Sequence, residues 1–351
     1  AALRSEALAE RVTTQAAEKF GRLAALLEKW RYDPHDVAHY LIRLLFCLFA
    51  EDVGLLPART FSDLVANGVP NPGHFNRPIR DLFHAMAEGD FFGKDKILYF
   101  NGGLFDDAPV LDLDSEALRI LHEIAQLDWS AIEPAIFGTL FTRSLDPSQR
   151  AKLGAQYTSK EDILLIVEPV LMAPLRRQWA EVQAGAHTLA QARDAAPTTA
   201  RKHKLGEELR ALVMGFVQQV RAVRVLDPAA GSGNFLYIAM RLLMDLEQEA
   251  IHFCGAVGLQ PPFPEVGPQQ MHGIEINDYA HELAQTTLWI GYLQWRHDHG
   301  YGFSEPILKP LDTIKHMDAI LAYDADGKPV EPEWPAADVI VGNPPFLGDK
   351  K

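Results

Sequence analysis

Three apolar runs in this 351-residue chain end on a side chain that can hold a ligand, and a fourth chemically loaded residue follows a shorter one. VRVLD closes on Asp227, HGIE on Glu275 and ADVIVGN on Asn343, while Asp318 follows IKHM. Asp227 opens LDPAAGSG, where Gly231 and Gly233 permit a tight turn and let a ligand approach without a Cβ in the way. The loop lacks the Lys-Ser/Thr pair of a phosphate-cradling loop, which disfavours ATP. Its acidic residue repels a pyrophosphate and attracts an ammonium, such as that of a methionine moiety. Such a glycine loop is also found in ordinary turns. Glu275 at a strand end can accept hydrogen bonds from two ribose hydroxyls; the plainer alternative is a helix N-cap or a solvated charge. Asp318 can accept an adenine exocyclic amine, or simply cap a turn.

The segment VIVGNPPF carries the strongest signal. An apolar run enters two prolines, which fix φ and cannot donate, so the carbonyls around Pro344 and Pro345 point in set directions. Asn343 adds a side-chain carbonyl, and Phe346 an aromatic face. Two rigid acceptors beside a ring suit a flat heterocycle bearing an amino group. NPP alone is a common turn; NPPF at the end of an apolar strand is much rarer.

These residues need strands to carry them. From Val220 onward the pattern runs strand, glycine turn, helix (NFLYIAMRLLMDLEQEAI), Pro- and Gly-rich linker over 255–270, strand, helix (DYAHELAQTTLWIGYLQWR), then the elements holding Asp318 and Asn343. Alternation of this kind implies a parallel, doubly wound sheet, whose ligands sit at the carboxyl ends of its strands. The first ~145 residues read instead as helices separated by breakers. Asp33-Pro34 is a helix start, and Gly54 and Pro57 end that helix; Asn, Gly and Pro between residues 67 and 78 form a loop. Ser159 with Asp162 three residues on starts a long helix, and residues 183–204 read as a helical or mobile insertion.

Net charge is −14, which argues against a generic charge-driven nucleic-acid binder. Cys47 and Cys254 give neither a disulfide framework nor metal-ligand spacing, so no metal is expected and a reducing, cytoplasmic compartment is. The apolar stretch LIRLLFCLFA contains Arg43 and is far shorter than the ~20 residues that span a bilayer, so it reads as a buried core helix.

In their order, LDPAAGSG, GIEIN, DAI and NPPF resemble motifs I to IV of the amino-methyltransferases that act on adenine N6 in DNA. GAQYTSKEDI resembles the motif that precedes them in the γ arrangement, and GTLFTRSLDP, GAQYTSKEDI and GNPPFLG resemble the MmeI-like (type IIL) restriction–modification group. The resemblance is specific from Phe137 to Phe346, and the N-terminal helices resemble the helical spacer of that group. It implies an α/β, Rossmann-like class I S-adenosylmethionine-dependent methyltransferase fold preceded by an all-α domain. The expected organisation is a spacer-like domain over 1–145 and the N-terminal part of a methyltransferase domain over 146–351, with insertions near 183–204 and 255–270. Because such a sheet needs strands after NPPF, the chain is expected to be a fragment with an incomplete sheet.

What the resemblance implies can be placed on residues. Tyr157 and Thr158 approach the methionine end of S-adenosylmethionine; Asp227, Ala229, Gly231 and Gly233 line its methionine and ribose. Glu275 holds the ribose hydroxyls, Ile276 packs on the adenine ring, and Asp318 and Ala319 contact it. Asn343, Pro344, Pro345 and Phe346 receive a flipped target base from double-stranded DNA, which a C-terminal recognition domain would read. Relatives carry a nuclease domain, but no Asp…Glu-x-Lys constellation stands before residue 150. Two other readings stay open: a methyltransferase for RNA or a protein glutamine, and a non-catalytic cofactor-binding component of a defence complex.

Overall fold

The computed structural model describes residues 2–100, 103–105, 109–134, 158–303, 305 and 307–344. The N-terminal part holds helices α1 (Ala2–Lys29), α2 (Pro34–Asp52), α3 (Thr60–Gly68), the short α4 (Gly73–Asn76), α5 (Pro78–Glu88) and α6 (Ser115–Ile124). Asp33 starts α2 as its sequence suggests: its side chain accepts from the His35 amide, with Pro34 in the first turn. The whole LIRLLFCLFA stretch is buried, as expected of a core helix. Its Arg43 is accommodated by donating from Nε to the Leu104 carbonyl at 2.7 Å.

Two expectations need correction here. The all-α part contains a small antiparallel hairpin, β1 (Phe91–Phe92) with β2 (Asp95–Lys96). The expected loop between residues 67 and 78 contains α4, whose start is fixed by the Asn71 side chain accepting from the Gly73 amide at 3.2 Å.

Ser159 caps the next helix in both directions: its Oγ accepts from the Asp162 amide and donates to the Asp162 carboxylate. Helix α7 (Lys160–Val167) runs through a π turn at Glu168–Met172, which accommodates Pro169, into α8 (Ala173–Asp194). A turn returns the chain as α9 (Thr199–Ala222). Residues 183–204 are therefore helical apart from that turn, part of a helical hairpin that buries Ala186, Leu209 and Val213 against Cys254 and Val257.

The sheet follows: β3 (Val225–Asp227), helix α10 (Asn234–Ala256), β4 (Met271–Glu275), helix α11 (Asp278–Asp298), β5 (Ile314–His316), a minor hairpin of β6 (Ala322–Tyr323) and β7 (Pro329–Val330), and β8 (Val339–Ile340). The four main strands are parallel in the order β5-β4-β3-β8, with Val225 opposite both Met271 and Val339 and Glu275 opposite His316. The order of this doubly wound sheet reverses beside β3, where ligands bind in such folds.

The 255–270 stretch is pinned rather than loose. Glu247, fully buried on α10, accepts from the Glu265 and Val266 amides at 2.9–3.0 Å and from Arg221 Nε at 2.6 Å. Arg221 in turn reaches the Glu265 carboxylate and the Phe263 carbonyl. Removing one partner of a buried ion pair leaves an uncompensated charge. Glu247→Ala is expected to lose about 3–5 kcal/mol in urea unfolding, with Glu247→Gln between it and the native chain. A loss under about 1 kcal/mol would show that the linker is held by its apolar contacts instead.

The helical and sheet-bearing parts share one apolar core, in which Phe20, Leu45 and Trp129 join the same cluster as Leu236, Leu283 and Trp295. Polar contacts cross the junction too: His39 pairs with Glu282 while its other ring nitrogen meets Arg43, and His35 lies 3.3 Å from Asp278. Helix α2 thereby braces the first turns of α11, the helix that follows Glu275. Among the described residues, no helix is long and apolar enough to cross a membrane.

Candidate functional site

The carboxyl ends of β3, β4, β5 and β8 lie on one edge of the sheet, and the loops leaving them carry Asp227, Glu275, Asp318 and Asn343. Asp227 is 1% exposed. Its Oδ1 accepts from the Ala229 amide at 3.0 Å, and no cation pairs with it among the described residues. Burial pushes its carboxyl up to about 7; the Ala229 hydrogen bond opposes this and the Glu275 charge adds to it.

The glycine loop is tied to the neighbouring strand. The Ala230 amide donates to the Ile274 carbonyl at 2.9 Å, and the Gly231 amide to Glu275 Oε2 at 2.8 Å. Gly231 and Gly233 both have positive φ, at 54° and 82°, and a Cβ on Gly233 would come within 3.1 Å of the Ala284 backbone on α11. Both glycines are thus required by conformation, and Gly233 also by close helix packing. Asn234 then opens α10 with a buried side-chain oxygen that has no partner among the described residues.

Glu275 bridges two loops: besides Gly231, its Oε1 accepts from the Asn277 amide at 2.8 Å. The N-cap itself is Asn277, whose side chain accepts from the Ala280 amide. The carboxylate keeps further lone pairs for hydroxyl donors. Ile276 is 58% exposed, and its carbonyl is held by His316 Nε2 at 2.9 Å. Asp318 behaves largely as the capping alternative describes, its Oδ1 accepting from the Ile320 and Leu321 amides at 2.8 and 3.2 Å. The Ala319 carbonyl accepts from Trp334 Nε1 at 2.8 Å.

The turn after β8 meets this cradle at two points. A Cβ on Gly342 would stand 2.3 Å from Asp227 Oδ1, so only glycine lets the backbone pass the buried carboxylate. Asn343 Nδ2 donates to Thr158 Oγ1 at 3.2 Å, joining residues 185 apart in the chain. Asn343 and Pro344 are exposed. Tyr157, Pro345 and Phe346 lie outside the described residues. Sequence reasoning missed Asn234, Gly342 and the Thr158–Asn343 contact. Asn234 was signalled only by a polar side chain at the first helical position after the glycine loop, and Gly342 by its place just before the prolines.

Comparison with known proteins agrees with this architecture. Residues 200–351 match the family described as MmeI, DNA-methyltransferase domain, and residues 35–105 match MmeI, helicase spacer domain. DNA methyltransferase A of Bacillus subtilis (strain 168) is 28% identical over 352 residues, covering 96% of this chain and 37% of that protein. A putative type II restriction enzyme and methyltransferase of Methanocaldococcus jannaschii is 23% identical over 296 residues, covering 72% of this chain and 24% of its own length. The solved structure of the type IIL restriction–modification enzyme MmeI in complex with DNA superposes with a TM-score of 0.71 at 28% identity, covering 87% of this chain and 40% of that one. The chain thus spans well under half the length of each of these relatives. Residues 35–105 and 200–351 are thus MmeI-like spacer and DNA-methyltransferase domains, in that order along a chain on which the solved MmeI structure superposes over 87% of the length.

Proposed function

We propose that this chain carries the cofactor cradle and target-base loop of an S-adenosylmethionine-dependent enzyme that methylates adenine N6 in double-stranded DNA. The observation that carries the reading is the contact of two loops at one sheet edge: Asp227 of the glycine turn against Gly342, next to Asn343-Pro344. The cradle fits the proposed cofactor. A buried acid with no cationic partner among the described residues, a buried Asn234 amide oxygen with no donor among them, and two positive-φ glycines suit a ligand bearing an ammonium and ribose hydroxyls.

In this reading Asp227 and Asn234 hold the methionine end, Gly231 and Gly233 admit the ribose, Glu275 accepts from its hydroxyls, and Ile276 with Asp318 and Ala319 borders the adenine. When bound, S-adenosylmethionine supplies an electrophilic methyl group. Asn343 Oδ1 and the Pro344 carbonyl accept the two N–H bonds of the target amine, which leaves the nitrogen lone pair directed away from the loop. These two acceptors would stabilise positive charge on the nitrogen that takes the methyl group as the sulfur–methyl bond breaks, without a strong general base, and the surplus proton would pass to water. Tyr157, Pro345 and Phe346 complete the site as the family resemblance implies, Phe346 stacking on the flipped base. The MmeI structure was solved with DNA; by analogy the substrate here is duplex DNA, and the biological setting a cytoplasmic restriction–modification or defence system.

The test is to express the full-length gene in a host lacking adenine methylation and read the host genome by single-molecule sequencing. N6-methyladenine at one short motif is the expected result. An unmodified genome with soluble, cofactor-binding protein would turn the assignment to RNA or a protein glutamine, or to a non-catalytic component.

A further inference from the structure

The contact between Thr158 and Asn343 assigns a role that the family resemblance did not give. We infer that Thr158 is a positioning residue for the target base: its hydroxyl fixes the Asn343 side-chain amide so that Oδ1 faces the incoming amino group. The inference rests on the methyl-transfer reading above and deepens it.

An asparagine amide presents an oxygen on one side and an NH2 on the other, and a rotation by half a turn exchanges them. For an amino group as substrate only one orientation is productive, because the NH2 face would oppose donor to donor. Asn343 is exposed, so burial does not choose between them. Thr158 Oγ1 accepts from Nδ2 at 3.2 Å, which turns Oδ1 to the opposite side.

Both partners are held from behind. Thr158 directly precedes Ser159, whose hydroxyl locks the first turn of α7 through the Asp162 amide and carboxylate. On the other side, β8 hydrogen-bonds β3, with the Val341 amide donating to the Leu226 carbonyl at 2.9 Å, and Gly342 abuts Asp227. The hydroxyl and the amide are therefore placed by two separate anchors rather than by each other. A hydroxyl acceptor at this position is required; the methyl group of threonine is not. Accepting from Nδ2 uses a lone pair of the hydroxyl and leaves its O–H available to donate, so the contact is compatible with the approach to the methionine end that the resemblance implies.

The test uses the full-length protein, its cofactor, and duplex DNA carrying the motif found by genome sequencing. Thr158→Val keeps the shape and removes the acceptor. It is expected to slow single-turnover methyl transfer at least tenfold, on the order of the ~100-fold that small misplacement of a reacting group produces, while cofactor Kd by calorimetry stays within about twofold. Thr158→Ser, which restores the acceptor, is expected to recover the rate to within about threefold. A valine variant with a raised cofactor Kd and an unchanged transfer rate would return Thr158 to the cofactor and overturn the inference. Native rate and native Kd in that variant would overturn it as well. If the unaltered protein makes no N6-methyladenine, it is the reading under Proposed function that fails, and that outcome is distinct from either of these.

Discussion

Asn343→Ala is expected to reduce methyl transfer by about a hundred- to a thousandfold, while S-adenosylmethionine Kd remains within about twofold. The magnitude follows from what the side chain does in the proposed reaction. Its carbonyl is one of two acceptors aimed at a nitrogen that becomes cationic, and deleting one preorganised group of this kind typically costs two to three orders of magnitude. The selectivity follows from where the residue stands. Asn343 is exposed at the end of β8, and its one side-chain hydrogen bond to a described residue goes to Thr158. The cradle residues Asp227, Glu275 and the glycine loop are held by bonds among themselves and to β4, none of which involves Asn343. Single-turnover methylation and calorimetric cofactor binding on the same preparation separate the two effects. Transfer at the native rate would remove Asn343 from the reaction, and a large rise in cofactor Kd would make it part of the cradle instead.

Much of the sheet was legible because its strands are short apolar runs closed by polar residues at the edge that matters. VRVLD, HGIE and ADVIV all became strands, and the helices between them followed. Helix starts were legible where the cap lies within a few residues: Asp33 for α2 and Ser159 for α7. Where the cap comes from elsewhere in the chain, the start was invisible. Helix α3 begins after Arg59, which has φ 65° and offers no cap; its first amides at Phe61 and Ser62 are taken instead by the carboxylate of Glu51 at the end of α2. No local pattern announces such a tertiary cap.

The site divides in the same way. Residue types at strand ends could be read, but not what each would bond. Asp318 read as either a ligand or a cap, and it spends one oxygen on its own turn, where two amides lie within reach. Glu275 bridges two loops of the protein besides offering lone pairs outward. Glu247 drew no notice in the sequence; the approach of Arg221 and the linker amides makes it a buried anchor. Gly342 was visible as a letter, but the reason for it, a carboxylate at the distance of a missing Cβ, belongs to the packing of β8 on β3.

Cofactor affinity is expected to rise with pH and then level off near pH 7, and the cause is Asp227. Its carboxyl is pushed up to about 7, first by burial and then by the charge of Glu275, against the pull of the Ala229 amide. Below that value the cradle holds a neutral acid, and an ammonium can be paired only after the proton leaves. Between pH 5.5 and 7, Kd is expected to fall roughly tenfold per pH unit, with about one proton released per cofactor bound, measurable by calorimetry in buffers of different ionisation heat. Stability of the cofactor-free chain moves the opposite way. The folded-state value lies above that of an unfolded aspartate, so the stability this group contributes is fully present below about pH 4 and is lost as pH rises toward 7. A difference of this size corresponds to on the order of 4 kcal/mol. Asp227→Asn should flatten both profiles, because an amide keeps the shape and cannot ionise. It should also weaken cofactor binding most at pH 7 and above, where the native carboxylate is charged. A native Kd that stays flat from pH 5.5 to 7 would mean that Asp227 remains ionised despite its burial, and that the ammonium is held by other groups.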